Sequence, residues 1–508
     1  MTLASIYTRA RQSPDTTAVV CNGVRCSYAD FARRIDAARQ FLAKRDLPAG
    51  TLAVTCFSNP FDDWVVGFAL RSLGHTTVAA SNAKEASGLG LRNIGSLVTA
   101  TAESRPELSA LASAARWRYV RVPLDVQWRA ADVVVREADE ATTHCGGHIL
   151  QTSGTTGEYK MVVRDPATEA VAIPLLAEIN GVDEASVVYV ANFGLWTAGG
   201  YRWPLMTWSV GGTVVIQQAP DLHLPLSRHS MTHMFSTPEM LSVLMRTSAG
   251  ALTRNDAMRL LVTGGAMPAG LLADAKRFLT RQVYSMLAST EASTLAMTPL
   301  EHPEDLLWHR ILPSREVQVV DEAGVVCAPG QEGLIRVRII DGLKGYLEDE
   351  AATREFFRDG FFYPGDLGVL GADGRLSLHG RASDVVNVLG HKVATAPLER
   401  ALQDRLGVDG VCIVSIRGGS GDDEIHVAIQ SGRKITPAEW DAAATIELAM
   451  MRRVPVHVDF IDALPKNAMG KVVRQQVKEQ VLEAVRIRDA AVRDGHEPGI
   501  RLEGPTPI

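Results

Sequence analysis

Short β-branched runs alternate with helix-period stretches through the first half of the chain. TLAVTC (51–56), SVVYVANF (186–193), GTVVIQ (212–217) and RLLVTGG (259–265) are apolar on both faces and predict buried strands. Between them, SYADFARRIDAARQFLAKR (27–45), SVLMRTSAGAL (242–252) and AGLLADAKRFL (269–279) space their apolar residues for helices. This βαβ rhythm predicts an α/β fold with helices over parallel sheet. After about residue 312, REVQVVDEAG, EGLIRVRI and GVLGADGRLSLHG are shorter and punctuated by turns, which predicts antiparallel hairpins in a mostly β subdomain. From Asp384 onward VVNVLGHKV, LERALQDRL, VCIVSI and EIHVAIQ alternate again, predicting a compact α+β unit. The segment GRASD (380–384) is the expected boundary, dividing the chain into residues 1–380 and 381–508. The proline- and glycine-bearing tail EPGIRLEGPTPI is expected to be extended or disordered.

No fixed-period repeat occurs, so solenoids and propellers are excluded. Residues 185–201 are the most membrane-like stretch, but Ser186, Asn192, Thr197 and several glycines interrupt it, and buried strand and loop is the better expectation. Composition narrows the partners. With 52 basic and 58 acidic residues, a net charge of -6 and no long block of either sign, nucleic acid is not the expected partner. Cys21, Cys26, Cys56, Cys145, Cys327 and Cys412 are scattered, without CxxC or metal-ligand spacing, as a reducing cytoplasm permits. No signal-peptide pattern occurs at the amino terminus, and a cytoplasmic location without a membrane span is expected.

The strongest local signal is HILQTSGTTGEYK (148–160), where a strand runs into Thr152, Ser153, Gly154, Thr155, Thr156 and Gly157, followed by Lys160. Glycines permit a tight turn toward a ligand, and hydroxyls with free amides suit an anionic polyphosphate. No GxxxxGK[ST] spacing is present, so this is not a Walker loop. A simple Ser/Thr/Gly connector is the alternative.

Other segments follow in an order that makes the resemblance specific. The loop resembles the phosphate loop of the adenylate-forming superfamily of acyl-CoA synthetases, peptide-synthetase adenylation domains and luciferases. VTGGAMP (262–268) resembles its adenine pocket, LASTEAS (287–293) its aromatic-Gly-x-Thr-Glu signature and FFYPGDLG (361–368) its ribose motif. GRASDVVNVLGHKV (380–393) resembles the hinge and LPKNAMGK (464–471) the carboxy-terminal lysine loop. The resemblance implies an adenylation domain of two α/β subdomains and a small β subdomain, with a mobile lid hinged near 381–384.

It also implies the reaction: a carboxylate attacks the α-phosphate of ATP, pyrophosphate leaves, and a thiol then displaces AMP. Two anions must meet, so charge neutralisation is the chemical demand. Lys471 would bridge the carboxylate and α-phosphate as a flexible point charge. Thr290 would contact the α-phosphate and Glu291 would hold magnesium, an ion that favours hard oxygen ligands. A glutamate opening a helix is the alternative for Glu291. Asp366 would accept from the ribose hydroxyls, with Arg381 reaching ribose or phosphate or forming a surface ion pair instead. Gly264, Gly265, Ala266, Leu287, Ala288 and Ser289 would receive the nucleotide base. Trp196 and Gly199, in NFGLWTAGGYRWPL (192–205), would line the acid channel with Gly265, while Ser383 is the hinge residue. Gly390, His391 and Lys392 would flank a tunnel for the pantetheine arm of CoA or of an acyl carrier protein.

Departures from the family pattern are equally specific. Tyr159 and Met161 stand where proline and glycine usually close the phosphate loop, Leu287 and Ala288 replace the aromatic residue against the base, and Pro364 replaces a threonine. The channel segment also lacks the aspartate that pairs with an amino acid's ammonium group, with uncharged Asn192 and Phe193 nearby. An acid:CoA ligase acting on a small carboxylic acid, with ATP and Mg2+, is therefore the leading expectation. Loading of a carrier protein is the alternative acceptor, and an inactive nucleotide-binding regulator is the alternative from another class. Trp196, Tyr201, Trp203 and Trp208 suggest an aromatic or alicyclic acid if their rings face the cavity. His233 is expected to be structural, and a homodimer is the prior for assembly.

Overall fold

The computed structural model describes residues 2–103, 105–124, 146–153, 159–190, 193–218, 223–382, 384–388, 391–417, 423–448, 451, 455–466 and 472–493. Gly154, Thr155, Thr156, Gly157, Ser383, Gly390 and Lys471 lie outside them, as do the side chains of Ser153, His391 and Lys392.

The predicted α/β core consists of two sheets. In the wider one the spatial order is Ser293–Pro299, Val283–Ser289, Arg259–Val262, His233–Ser236, Val187–Val190, Thr213–Ile216, Thr17–Cys21 and Val24–Ser27. Its inner pairs are parallel, and only the two edge strands run antiparallel. The second sheet orders Arg118–Val122, Ile94–Ala100, Leu52–Thr55, Thr76–Ala79, His148–Ser153 and Tyr159–Arg164. It too is parallel until its last pair, an antiparallel hairpin whose ends flank residues 154–158. Continuous apolar runs such as Leu52–Thr55 and Val187–Val190 suit strands covered on both faces.

Residues 185–201, expected as buried strand and loop, contain the strand Val187–Val190, and a helix begins at Ala198 near their end. Paired glycines and Pro204 disfavour helix locally, yet the Thr197 hydroxyl accepts from the Gly200 N–H and Gly211, at φ +91°, ends the helix at Val210. Burial completes the override. Trp208 stands edge-on to Trp64 at 5.0 Å and donates from Nε1 to the Ala18 carbonyl.

Polar side chains join the two sheets inside the core. Arg71 pairs with Glu169 at 2.8 Å and donates to the Tyr201 hydroxyl at 2.6 Å, while Tyr201 stacks on His148 at 4.3 Å. His148 Nε2 donates to the Leu195 carbonyl, which leaves Nδ1 to accept from Thr77. Burial first, and Arg71 with it, pushes the imidazole down from 6.5 to about 3. Since the unfolded chain takes up this proton and the folded chain refuses it, stability is intact above pH 6.5 and falls as the pH drops toward 3. The expected share is on the order of 1 kcal/mol per pH unit. Urea midpoints at pH 7 and pH 5 should therefore converge in His148→Gln relative to the parent, and equal slopes would contradict the assignment.

The expected antiparallel subdomain is present. Trp308–Arg310, Arg375–Arg381, Asp366–Leu370 and Glu332–Arg338 are adjacent, with Val317–Val320 and two short strands also pairing on Glu332–Arg338 or its neighbours. Beyond it, Val385–Val388 and His391–Ala394 form a hairpin. The terminal unit has Gly410–Arg417 antiparallel to Asp423–Gln430, and Val456–Ile461 parallel to the latter. Helices Thr395–Leu406 and Pro437–Glu447 contribute Leu402 and Trp440 to one face, and helix Arg474–Arg493 contributes Val477 and Val481 to the other. Among the described residues no helix is long and apolar enough to cross a membrane.

Candidate active site

Ligands of open parallel sheets collect beyond the carboxyl ends of the strands. There the chain encloses a cavity of about 1330 Å³. Thr152 and Lys160, register partners in the antiparallel hairpin, form one wall. Lys160 Nζ lies 4.8 Å from the centre of the Phe356 ring and 5.8 Å from that of Tyr346, which hold the ammonium at the cavity wall.

The strand Arg259–Val262 ends in the second wall, Gly264, Gly265 and Ala266. Gly264 has φ +86°, so the turn away from the strand requires glycine. Thr263 fastens the turn by donating to the Met286 carbonyl at 2.7 Å. Leu287, Ala288 and Ser289 line the cavity from the neighbouring strand, whose register shifts between Leu287 and Ala288.

Thr290 and Glu291 sit in the tight turn between antiparallel strands Val283–Ser289 and Ser293–Pro299, not at the start of a helix. Two arginines absent from the sequence expectations clamp this turn. Arg202 donates to the carbonyls of Ser289 at 3.2 Å and Thr290 at 2.6 Å, and Arg164 donates to those of Thr290 and Glu291. Arg164 is anchored behind by Asp341, the two side chains being 3% and 4% exposed. Burial, reinforced by the adjacent Arg164 charge, lowers Arg202 to about 9, so it remains a cation at neutral pH. Glu291 is itself buried and accepts from the Tyr346 hydroxyl at 2.7 Å. Burial, then the Glu291 carboxylate, raises the Tyr346 phenol, which stays a donor. A hard carboxylate held this way in a cavity wall fits magnesium.

Asp366 and Arg381 are register partners on adjacent strands and are paired at 2.8 Å, so Arg381 forms the ion pair and lines the cavity at the same time. Arg381 also donates to the Pro364 carbonyl. From the terminal unit Lys466 and Val472 line the same cavity and are bridged to one another across residues 467–471. Lys466 pairs with Glu239 at 2.7 Å.

The aromatic segment is divided by its helix. Gly199, Arg202, Trp203 and Met206, at i, i+3, i+4 and i+7, face the cavity. Trp203 lies 5.0 Å from Phe235, which also lines it. Trp196 is displaced from its expected place, because its ring folds over Gly194 and does not line the cavity. Tyr201 and Trp208 are likewise core residues. His233 is buried between Thr232 and the Asn180 carbonyl and has the structural role expected of it.

Residues 6–347 match the family described as AMP-binding enzyme. A feruloyl-CoA synthase of Amycolatopsis is 27% identical over 496 residues, covering 93% of this chain and 97% of that protein. A 2-succinylbenzoate–CoA ligase of Bacillus licheniformis is 27% identical over 355 residues, 70% of this chain and 74% of that protein. A protein of Arabidopsis thaliana described as probable acyl-activating enzyme 8 is 25% identical, and the match spans 65% of this chain and 64% of that protein. The fold is similar to that of O-succinylbenzoate coenzyme A synthetase from Bacillus subtilis, solved with ATP and magnesium, at TM-score 0.78 and 21% identity, covering 94% and 99% of the two chains. The match to the family spans most of the sequence, and with the α/β architecture and the wall built by Gly264 to Ala266 it leads to one statement of kinship: the chain belongs to the AMP-binding enzyme family.

Proposed function

We propose that this protein is an AMP-forming acid:CoA ligase acting on a small aromatic or alicyclic carboxylic acid. The observation that carries the reading is the convergence on one cavity of Lys160, Thr290, Glu291, Asp366 and Arg381 with Lys466 and Val472, the described residues flanking 467–471. Feruloyl-CoA synthase and 2-succinylbenzoate–CoA ligase, by their names, make CoA thioesters of aromatic acids, which supports CoA as acceptor.

In this reading the Thr152–Gly157 loop and Lys160 receive the triphosphate, Gly264 to Ala266 and Leu287 to Ser289 the base, and Asp366 the ribose. Glu291 would hold magnesium, which supplies charge neutralisation on the phosphates. Lys471 neutralises the approaching carboxylate and α-phosphate, whose new O–P bond forms as pyrophosphate leaves. After the lid, residues 381–508, pivots at 381–384, a CoA thiol passing beside Gly390, His391 and Lys392 would give its proton to solvent and attack the acyl carbon, the acyl C–O bond to phosphate breaking as AMP leaves.

The acid belongs between Gly199, Trp203, Met206 and Phe235. A Cβ at Gly199 would stand 2.4 Å from Phe235 Cε1, so any side chain there must displace a ring that lines the acid's proposed space. Gly199→Ala is expected to raise KM for the acid about tenfold, equivalent to roughly 1.4 kcal/mol, while leaving KM for ATP unchanged. The reaction itself is tested with ATP, magnesium and a panel of carboxylic acids, with hydroxylamine trapping of adenylates and pyrophosphate release followed with and without CoA. Acid-dependent pyrophosphate release and a thioester formed on addition of CoA are expected. Adenylate without CoA turnover would assign a carrier protein as acceptor, and nucleotide binding without pyrophosphate release across the panel would overturn the reading.

A further inference from the structure

A group of metal-ligating side chains lies in the terminal unit, away from the cavity. Glu424 and His426 are two apart on the strand Asp423–Gln430 and share a face, and His457 on Val456–Ile461 is the register partner of His426. The intervening Ile425, Val427, Val456 and Val458 point to the opposite face, into the core around Trp440. Polar and apolar sets are thus cleanly separated. Helix Arg474–Arg493 packs Val477 and Val481 with Cys412, Val414 and Ile416 of the next strand, so the polar group occupies the other half of that face.

We propose that Glu424, His426 and His457 form a binding site for a first-row divalent transition metal ion, zinc being the ion best matched to two imidazoles and a carboxylate. One ligand atom from each residue lies within 4.8 Å of the others, with Glu424 Oε2 at 3.2 Å from His457 Nε2 and 3.9 Å from His426 Nε2. Ligand atoms of tetrahedral zinc, bonded at about 2.0–2.2 Å, stand roughly 3.3 Å apart, so closure takes only small side-chain rotations.

A second observation points the same way. His426 is 2% exposed and its Nδ1 lies 2.7 Å from Asp459 Oδ2. The carboxylate keeps the proton on Nδ1 and leaves the Nε2 lone pair directed into the group, where this buried atom has no hydrogen-bond partner. A desolvated acceptor left unmatched is costly, and a metal ion satisfies it. Glu424, with its side chain 29% exposed, leaves an entry side and room for a water ligand. The donor set differs from the oxygen ligands that magnesium prefers, so the site is chemically independent of Glu291. Occupancy would cross-link two parallel strands of the unit that carries the lysine loop.

The test uses the full chain, stripped with chelator and kept in excess magnesium, titrated with Co2+ while visible d–d absorption is recorded, followed by displacement with Zn2+. One equivalent should give an intense band of low coordination number that zinc abolishes. Asp459→Asn should weaken binding about 10- to 100-fold. His426→Ala should lose the band, and Glu424→Gln, an isosteric change at a partly exposed position, should weaken it at least tenfold. A band of equal affinity in Glu424→Gln and the parent would overturn the site, because it would arise from histidines elsewhere. No band, with His426→Ala merely less stable and the parent's Tm unmoved by zinc, would show an ordinary cross-strand polar cluster and overturn it equally.

Discussion

Replacing Lys471 by alanine is expected to reduce acid-dependent pyrophosphate release by a factor on the order of 10²–10³ or more while leaving ATP binding within a few-fold of the parent. The factor is that of removing one preorganised charge aimed at a developing anion. The substrates would still be held, because the cavity walls proposed for the base and ribose, Gly264 to Ala266 and Asp366, are supplied by other parts of the chain. What disappears is neutralisation at the moment two anions share an oxygen. Nucleotide binding by calorimetry and pyrophosphate release under saturating acid separate the two effects. Unchanged turnover would remove Lys471 from the chemistry, and equal loss of binding and turnover would make it a ground-state contact.

Asp341→Ala should be the most damaging change that touches no substrate. Arg164 and Asp341 are both almost fully buried, and removing one partner leaves a desolvated charge, an effect of about 3–5 kcal/mol. Urea denaturation reads the loss directly. Activity should fall as well, because Arg164 bonds the Thr290 and Glu291 carbonyls and its anchor fixes that grip. Asp341→Asn, which keeps an acceptor, should recover part of both. A stability loss with catalysis intact in the surviving folded fraction would separate the anchor from the site.

The alternation of β-branched runs with helix-period segments was sufficient to identify the α/β core, because parallel strands covered on both faces leave an apolar mark that few other elements leave. The turn holding Thr290 and Glu291 was marked as chemistry but not as a hairpin, since acidic residues also open helices. Arg164 and Arg202 carry no mark in the sequence for a different reason. Arg164 closes a strand and Arg202 sits inside a helix, and they converge only because that strand and that helix fold against the same turn. Their pairing has no signature along the sequence.

The aromatic segment shows what an unassigned element withholds from a site. Alternation along the sequence does not sort its rings, whereas one helical period from Gly199 selects Trp203 and Met206 for the cavity and sends Tyr201 and Trp208 to the core. Among the departures from the family pattern, Met161 fills a core position at 5% exposure and Tyr159 is exposed, so both are accommodated without crowding the cavity.

The bridge between Lys466 and Val472 limits how Lys471 can move. Its Cα is one peptide unit, about 3.8 Å, from that of Val472, so the lysine cannot travel far unless the bridged pair travels too. If Lys471 acts as proposed, withdrawing its ammonium after adenylation would displace the bridged pair with the body that carries it and break the Lys466–Glu239 contact. A step of that kind is slowed by friction, and turnover of the second half-reaction should decline as glycerol or sucrose thickens the medium, whereas a local loop flip would leave it nearly indifferent.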